Sequence, residues 1–238
     1  MQGPPADPIA RAARRALPAT GIVLAGLTVV YAWVVWNAPP DRVQGVIQKI
    51  LYVHPPLAFA AYLGFLITGV AGALYLVRRD DAYDRLASAA AEVGVLFATL
   101  MLITGPIWAR GTWGRWWSWD LRLTLTLLLW FVYVAYLLLR TFTEGSERIA
   151  RFAAVYGIAG LAVIPLNYFA VQLSQGSIHP ENLERGSLGP GMGLPFLLGV
   201  LTTLTAFLFL LALRVDVGEL RARARARLER AWARGEAA

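Results

Sequence analysis

Only two side chains in this sequence offer an imidazole, His54 and His179, and none offers a thiol, because cysteine is absent. Any metal must therefore be held by imidazole, carboxylate, thioether or backbone oxygen, and disulfide or thiol chemistry is excluded. Between the two histidines in chain order stands GTWGRWWSWDLRLT, Gly111 to Thr124, which carries four of the nine tryptophans. Trp113, Trp116 and Trp117 are spaced i, i+3 and i+4, so a short helix there would put them on one face. Trp119 follows closely, and Gly114 leaves room for a flat group to approach. An interfacial aromatic belt accounts for one or two tryptophans. Four within one loop exceed what anchoring uses, whereas a large planar apolar ligand would engage all of them by stacking and burial. Two neutral imidazoles can ligate one haem iron from opposite sides, and the macrocycle between them needs an apolar, aromatic bed.

The polar residues around this stretch have two readings each. Asp120 is placed to cap the helix that follows and to meet its positive dipole end, or to contact a ligand. Arg122 could bridge to Asp120 or to an anionic ligand group, since an unpaired cation beside an apolar run is costly. Propionates would need cations or N–H donors, and Arg42, Lys49, Arg110, Arg115, Arg122 and Arg185 are candidates on the same side. Glu92, Asn167 and Gln172 are the notable polar residues inside apolar runs. Buried amides of that kind often join helices. Paired glycosidase-like carboxylates, a Ser/His/Asp set and a phosphate-cradling glycine loop are not apparent.

The elements that must position these groups are membrane helices. Of the 238 residues 58% are hydrophobic and 16% charged, with mean hydropathy +0.54, more apolar side chain than a soluble domain of this length can bury. Runs of roughly 20 residues, enough to cross a bilayer, are expected at 17–37, 55–77, 88–109, 121–140, 152–173 and 194–213. The fold class is thus all-α integral membrane, with six transmembrane helices and short outer-face helices carrying the tryptophan-rich motif. The first run follows RAARR as a signal peptide would, but it is too long for a signal h-region and ends in WNAPP, so we read it as a retained anchor.

Six spans place both termini on one side. Grouping the N-terminus, the RRDDAYDR and RTFTEGSERIAR loops and the tail assigns 16 of 22 Lys+Arg to that side and six to the other, which makes it cytoplasmic. Without the tail the count is nine to six in the same direction. The net charge of +7 reflects this orientation, and no nucleic-acid partner is expected. The outer side then holds the connection at 38–54, the tryptophan-rich loop at 110–120 and the loop at 174–193. In the first of these, Val43, Val46, Ile47, Ile50 and Leu51 recur at helical spacing, with Asp41 as a possible N-cap. Pro55-Pro56 suit the first turn of the next span, which sets His54 at an outer helix end. Residues 1–213 form the membrane domain, and 214–238 are a basic cytoplasmic tail resting on membrane lipid headgroups or a partner, or simply solvated.

WGRWWSWD at Trp113–Asp120 resembles the signature of the haem-handling protein superfamily of cytochrome c maturation. Its continuation LRLT and the segment ILYVHPPLAF are similar to the CcmC branch, over almost the whole chain. The resemblance implies haem b as the bound group, His54 and His179 as axial ligands of its iron, and Trp113, Gly114, Trp116, Trp117, Trp119 and Asp120, with Arg122, as the presenting site. Around His179 the chain reads FAVQLSQGSIHP, where the branch usually has a tryptophan pair and LHQ, so that histidine is carried over by position. The resemblance further implies a non-enzymatic role. Haem would be held on the outer, periplasmic face of the cell inner membrane and passed to the haem chaperone CcmE, within an ABC transporter complex containing CcmA, CcmB and the small membrane protein CcmD. Three alternatives come from other classes: a membrane haem lyase, a non-haem metal site of His54, His179 and Asp120, and a transporter, which would need a polar path at the midplane.

Overall fold

The computed structural model describes residues 7–141, 146–174, 179 and 188–234. It is a bundle of α1 (Pro8–Asn37), a 3-10 segment (Val46–Tyr52), α2 (His54–Arg78), α3 (Asp81–Trp113), α4 (Leu121–Thr141), α5 (Glu147–Gly160), α6 (Val163–Tyr168), α7 (Ala170–Leu173) and α8 (Gly193–Ala233). Six helical stretches, counting α5 and α6 as one, are long and apolar enough to cross a membrane. This all-α membrane architecture is the one expected from the apolar runs.

Helices outlast those runs wherever the flanking residues favour a helix. Asp7 caps α1 by accepting from the Ala10 amide at 2.6 Å, and Asp80 caps α3 by accepting from Ala82 at 2.9 Å. At the other end of the chain, α8 continues through the Arg- and Ala-rich tail to Ala233, so residue 213 lies inside an unbroken helix. The expected fifth span, by contrast, is interrupted. Pro165 has no N–H for the Leu161 carbonyl, which accepts instead from Ile164 at 3.1 Å, and the run divides into α5, α6 and α7.

The centre is the α2–α3 pair, flanked by α5 and α4 and closed by α8, with α1 lying along α8. Small residues make the central crossing possible, because packing between membrane helices relies on close backbone approach. A Cβ on Gly64 would sit 2.7 Å from the Gly94 Cα, and Ala60, Ala61, Ala90 and Ala91 are buried around it. On the α4 side, Tyr133 stacks on Phe65 at 3.8 Å between ring centroids and donates its hydroxyl to the Gly157 carbonyl at 3.1 Å.

The two ends of the bundle differ in chemistry. Where α1 begins and α2, α4 and the apolar part of α8 end, carboxylates and guanidinium groups pair. Arg140 grips Asp84 through two bonds at 2.6 and 2.7 Å. Arg85 reaches Asp7 at 2.6 Å and Glu219 at 3.2 Å, Arg14 pairs with Asp216 and Arg214 with Glu92. Burial pushes the Asp7 carboxyl up, but the Ala10 amide and the Arg85 guanidinium together hold it below its ordinary value of 3.8. The opposite end carries the histidines and the tryptophan-rich segment.

Candidate functional site

His54 is the first residue of α2, followed by Pro55 and Pro56 in the first turn, where the missing N–H groups had no helical partner to lose. Its position is set by the 3-10 segment just before it, which three helices grip. The Tyr52 carbonyl accepts from the Tyr31 hydroxyl of α1 at 2.9 Å and lies so close to Gly199 of α8 that no side chain fits there. A Cβ on Gly111 of α3 would meet Ile47 at 2.5 Å. Upstream, Asp41 does not cap this helix as expected. Its Oδ1 accepts from the Val43 and Gln44 amides at 2.8 and 2.7 Å and closes a tight turn ending at Gly45, whose φ of 64° suits glycine. The Gln44 and Val43 amides hold the exposed Asp41 carboxyl below its ordinary value.

The tryptophan segment also departs from expectation. Rather than a separate short helix, α3 itself runs on through Trp113, so 110–113 are helix and not loop. It ends at Gly114, whose φ of 72° is the left-handed C-cap that glycine adopts without strain. Arg110 donates to the Gly114 carbonyl. Residues 115–120 are non-helical, and Trp113, Trp116 and Trp117 therefore do not share a helical face. They meet by another route, as walls of one pocket.

That pocket is lined by His54, His179, Trp108, Trp113, Trp116 and Trp117, among others. Both histidines are half-buried. The His54 ring stands edge-on to Trp108 at 5.9 Å and 73°, and His179 edge-on to Trp113 at 6.3 Å and 66°. Trp116 is 60% and Trp119 76% exposed, and Trp119 leans on Trp117 at 5.7 Å. The cavity is about 90 Å³, small beside the roughly 300–1,000 Å³ of ligand-enclosing pockets. A macrocycle would therefore stand partly outside it, against exposed rings.

Gly114, Trp119, Asp120 and Arg122 lie beside this pocket and not in its wall. Asp120 caps α4: its Oδ1 accepts from the Leu123 amide at 2.9 Å, while its buried Oδ2 has no hydrogen-bond partner, like Ser118 Oγ and Trp117 Nε1 nearby. Arg122 belongs to a polar cluster within the bundle. Its carbonyl accepts from Asn167 Nδ2 at 3.0 Å, and Asn167 in turn bonds Thr126 at 2.8 Å and accepts from Tyr62 at 2.6 Å. Asn167 is thus an interhelical joint. Arg185 lies outside the described residues. Among the residues of the site not singled out from sequence are the pocket-lining Gln44, Gly105 and Trp108 and Thr104, which touches His54. Trp108 accepts its place through Nε1, donating to Gln44 Oε1 at 3.0 Å. The glycine-proline step at Gly105-Pro106 inside an apolar helix was the available signal.

Among the described residues no three His, Asp or Glu side chains cluster as a metal site, which removes the His54, His179 and Asp120 set. The donors that do converge are two imidazoles among indole rings. This defines a class: a polytopic helical membrane protein with a paired-histidine, tryptophan-walled pocket at one end of its bundle.

The family model described as heme exporter protein C, CcmC, matches residues 5–231, and the chain belongs to that family. A putative cytochrome c biosynthesis ccmC-like mitochondrial protein of Marchantia polymorpha is 30% identical over 74% of this chain and 74% of its own length. The heme exporter protein C of Haemophilus influenzae is 32% identical over 81% of this chain and 79% of its own. That of Bradyrhizobium diazoefficiens is 34% identical over 73% of this chain, which spans 65% of it, just under two thirds.

Proposed function

We propose that this protein binds haem b at the outer, periplasmic end of its bundle and delivers it to the chaperone CcmE during cytochrome c maturation. It would do so as a non-catalytic member of an ABC-type complex with CcmA, CcmB and CcmD. Haem is here a cargo. The observation that carries the reading is that His54 and His179, remote in sequence, line one pocket walled by Trp108, Trp113, Trp116 and Trp117. Imidazole nitrogen is a haem-iron ligand and indole faces and edges bed a porphyrin. The small, open pocket suits a carrier, since a ligand that stands partly outside remains accessible to an acceptor. Gly114, Trp119, Asp120 and Arg122, beside the pocket, would contact the protruding edge and its propionates. Delivery requires ligand exchange at iron, in which one histidine lets go as the chaperone engages.

The test is the visible spectrum of the detergent-purified protein beside His54→Ala and His179→Ala. A Soret band weakened or shifted in both variants is expected. Loss in the His54 variant alone would reduce His179 to a pocket wall, and no haem in wild type after haem addition would overturn the reading. Delivery is opposed if haem stays bound after excess CcmE is added. Covalent cytochrome formed on co-expression with apocytochrome alone, without the chaperone, would instead establish a lyase.

A further inference from the structure

Beneath the His54 ring lies Thr104 of α3, with its Oγ1 3.0 Å from His54 Nδ1. The same oxygen is 2.9 Å from the Leu100 carbonyl and 3.2 Å from the Met101 carbonyl. A threonine hydroxyl has one proton and two lone pairs. When that proton is directed into a carbonyl of its own helix, Oγ1 can only accept from Nδ1. With the hydroxyl proton so engaged, Thr104 presents an acceptor to the Nδ1 edge of the ring, and Nδ1 is the nitrogen that carries hydrogen. Gly105 admits the ring to this position, since even a Cβ there would come within 3.1 Å of His54 Cε1.

The consequence falls at the far edge of the ring. A neutral imidazole has one N–H and one lone pair, so Nε2 keeps the pair. We propose that Thr104 is a positioning residue for haem ligation: it holds His54 as the Nδ1–H tautomer, so that Nε2 is the atom presented to iron. A hydrogen bond from the remote nitrogen also makes an imidazole a stronger donor. This rests on the reading of His54 as a haem ligand.

The experiment uses the full chain in detergent, titrated with haem, as wild type, Thr104→Val, Thr104→Ser, His54→Ala and the His54→Ala/Thr104→Val double variant. Thr104→Val keeps the shape and removes the acceptor. We expect it to weaken haem binding about 10- to 100-fold, the usual effect of losing such an outer partner, and to shift the Soret band, with Thr104→Ser restoring both. In the His54→Ala background Thr104→Val should cause no further loss, because its effect runs through the His54 ring. Additive losses would overturn the proposal in favour of a packing role, as would a Thr104→Val variant that binds and absorbs as wild type. A His54→Ala variant with unchanged affinity and spectrum would overturn the underlying haem reading instead.

Discussion

The two carboxylate oxygens of Asp120 differ in their surroundings, and that makes its roles as cap and as ligand contact separable by experiment. Its Oδ1 caps α4, and removing an Asp cap costs about 0.5–2 kcal/mol. Asp120→Ala should therefore lower the thermal unfolding midpoint in detergent, while Asp120→Asn, an equally good cap, should leave it near wild type. Haem titration of the Asn variant then isolates the carboxylate: unchanged affinity assigns Asp120 to capping alone, and weakened affinity at unchanged stability gives the unpartnered Oδ2 a ligand role. The capping alternative was readable from an Asp immediately ahead of an apolar run. The His54–Thr104 contact was not, because two residues on different helices meet only when α2 and α3 are packed in register.

At the scale of elements, the site depends on close helix crossings more than on polar contacts. Gly64 and Gly94 let α2 and α3 approach so closely that a Cβ would meet backbone at 2.7 Å, and backbone cannot swing aside as a flexible side chain would. Gly64→Leu should separate the two helices and cost at least the 1–3 kcal/mol typical of overpacking. Because His54 rides on α2 and Thr104 and Trp108 on α3, haem affinity should fall together with unfolding temperature. Normal affinity in a destabilised Gly64→Leu protein would show that the pocket does not depend on this crossing. The apolar runs at 55–77 and 88–109 marked the existence of both helices. Their true ends at His54, Asp81 and Trp113 came from caps and prolines, which act beyond the apolar window.

For the whole molecule, the division into an ion-paired end and an aromatic end makes two expectations. The first concerns pH. Asp7 is held below 3.8, so its contribution is fully present above that value and is lost as pH falls through the lower, folded-state one. The stability gap between wild type and Asp7→Asn should thus be constant near neutrality and narrow in acid. An equal gap at pH 7 and at pH 3 would mean that ionised Asp7 adds nothing. The second concerns orientation. The chain has no cysteine, so single cysteines can be introduced cleanly at Val43, 94% exposed at the aromatic end, and at Leu228, 58% exposed on the distal part of α8. A membrane-impermeant maleimide should label intact spheroplasts carrying Val43→Cys and not those carrying Leu228→Cys; the reverse pattern would invert the topology.

Sequence by itself determined the helical membrane class and the number of spans, because bilayer thickness and the need to satisfy every backbone group leave little else for runs of this length and hydropathy. It also marked the histidines and the tryptophan cluster, since residue types so chemically specific stand out without neighbours. Tertiary structure decided the rest. That Trp113 ends a helix while Trp116 and Trp117 follow in irregular backbone, that Asp41 closes a turn and not a helix, and that Trp108, Thr104 and Gly105 surround His54 are outcomes of where separate helices come to rest. Helical periodicity describes which residues share a face of one element. It carries no information on which face of another element they will meet, and a pocket is made of such meetings.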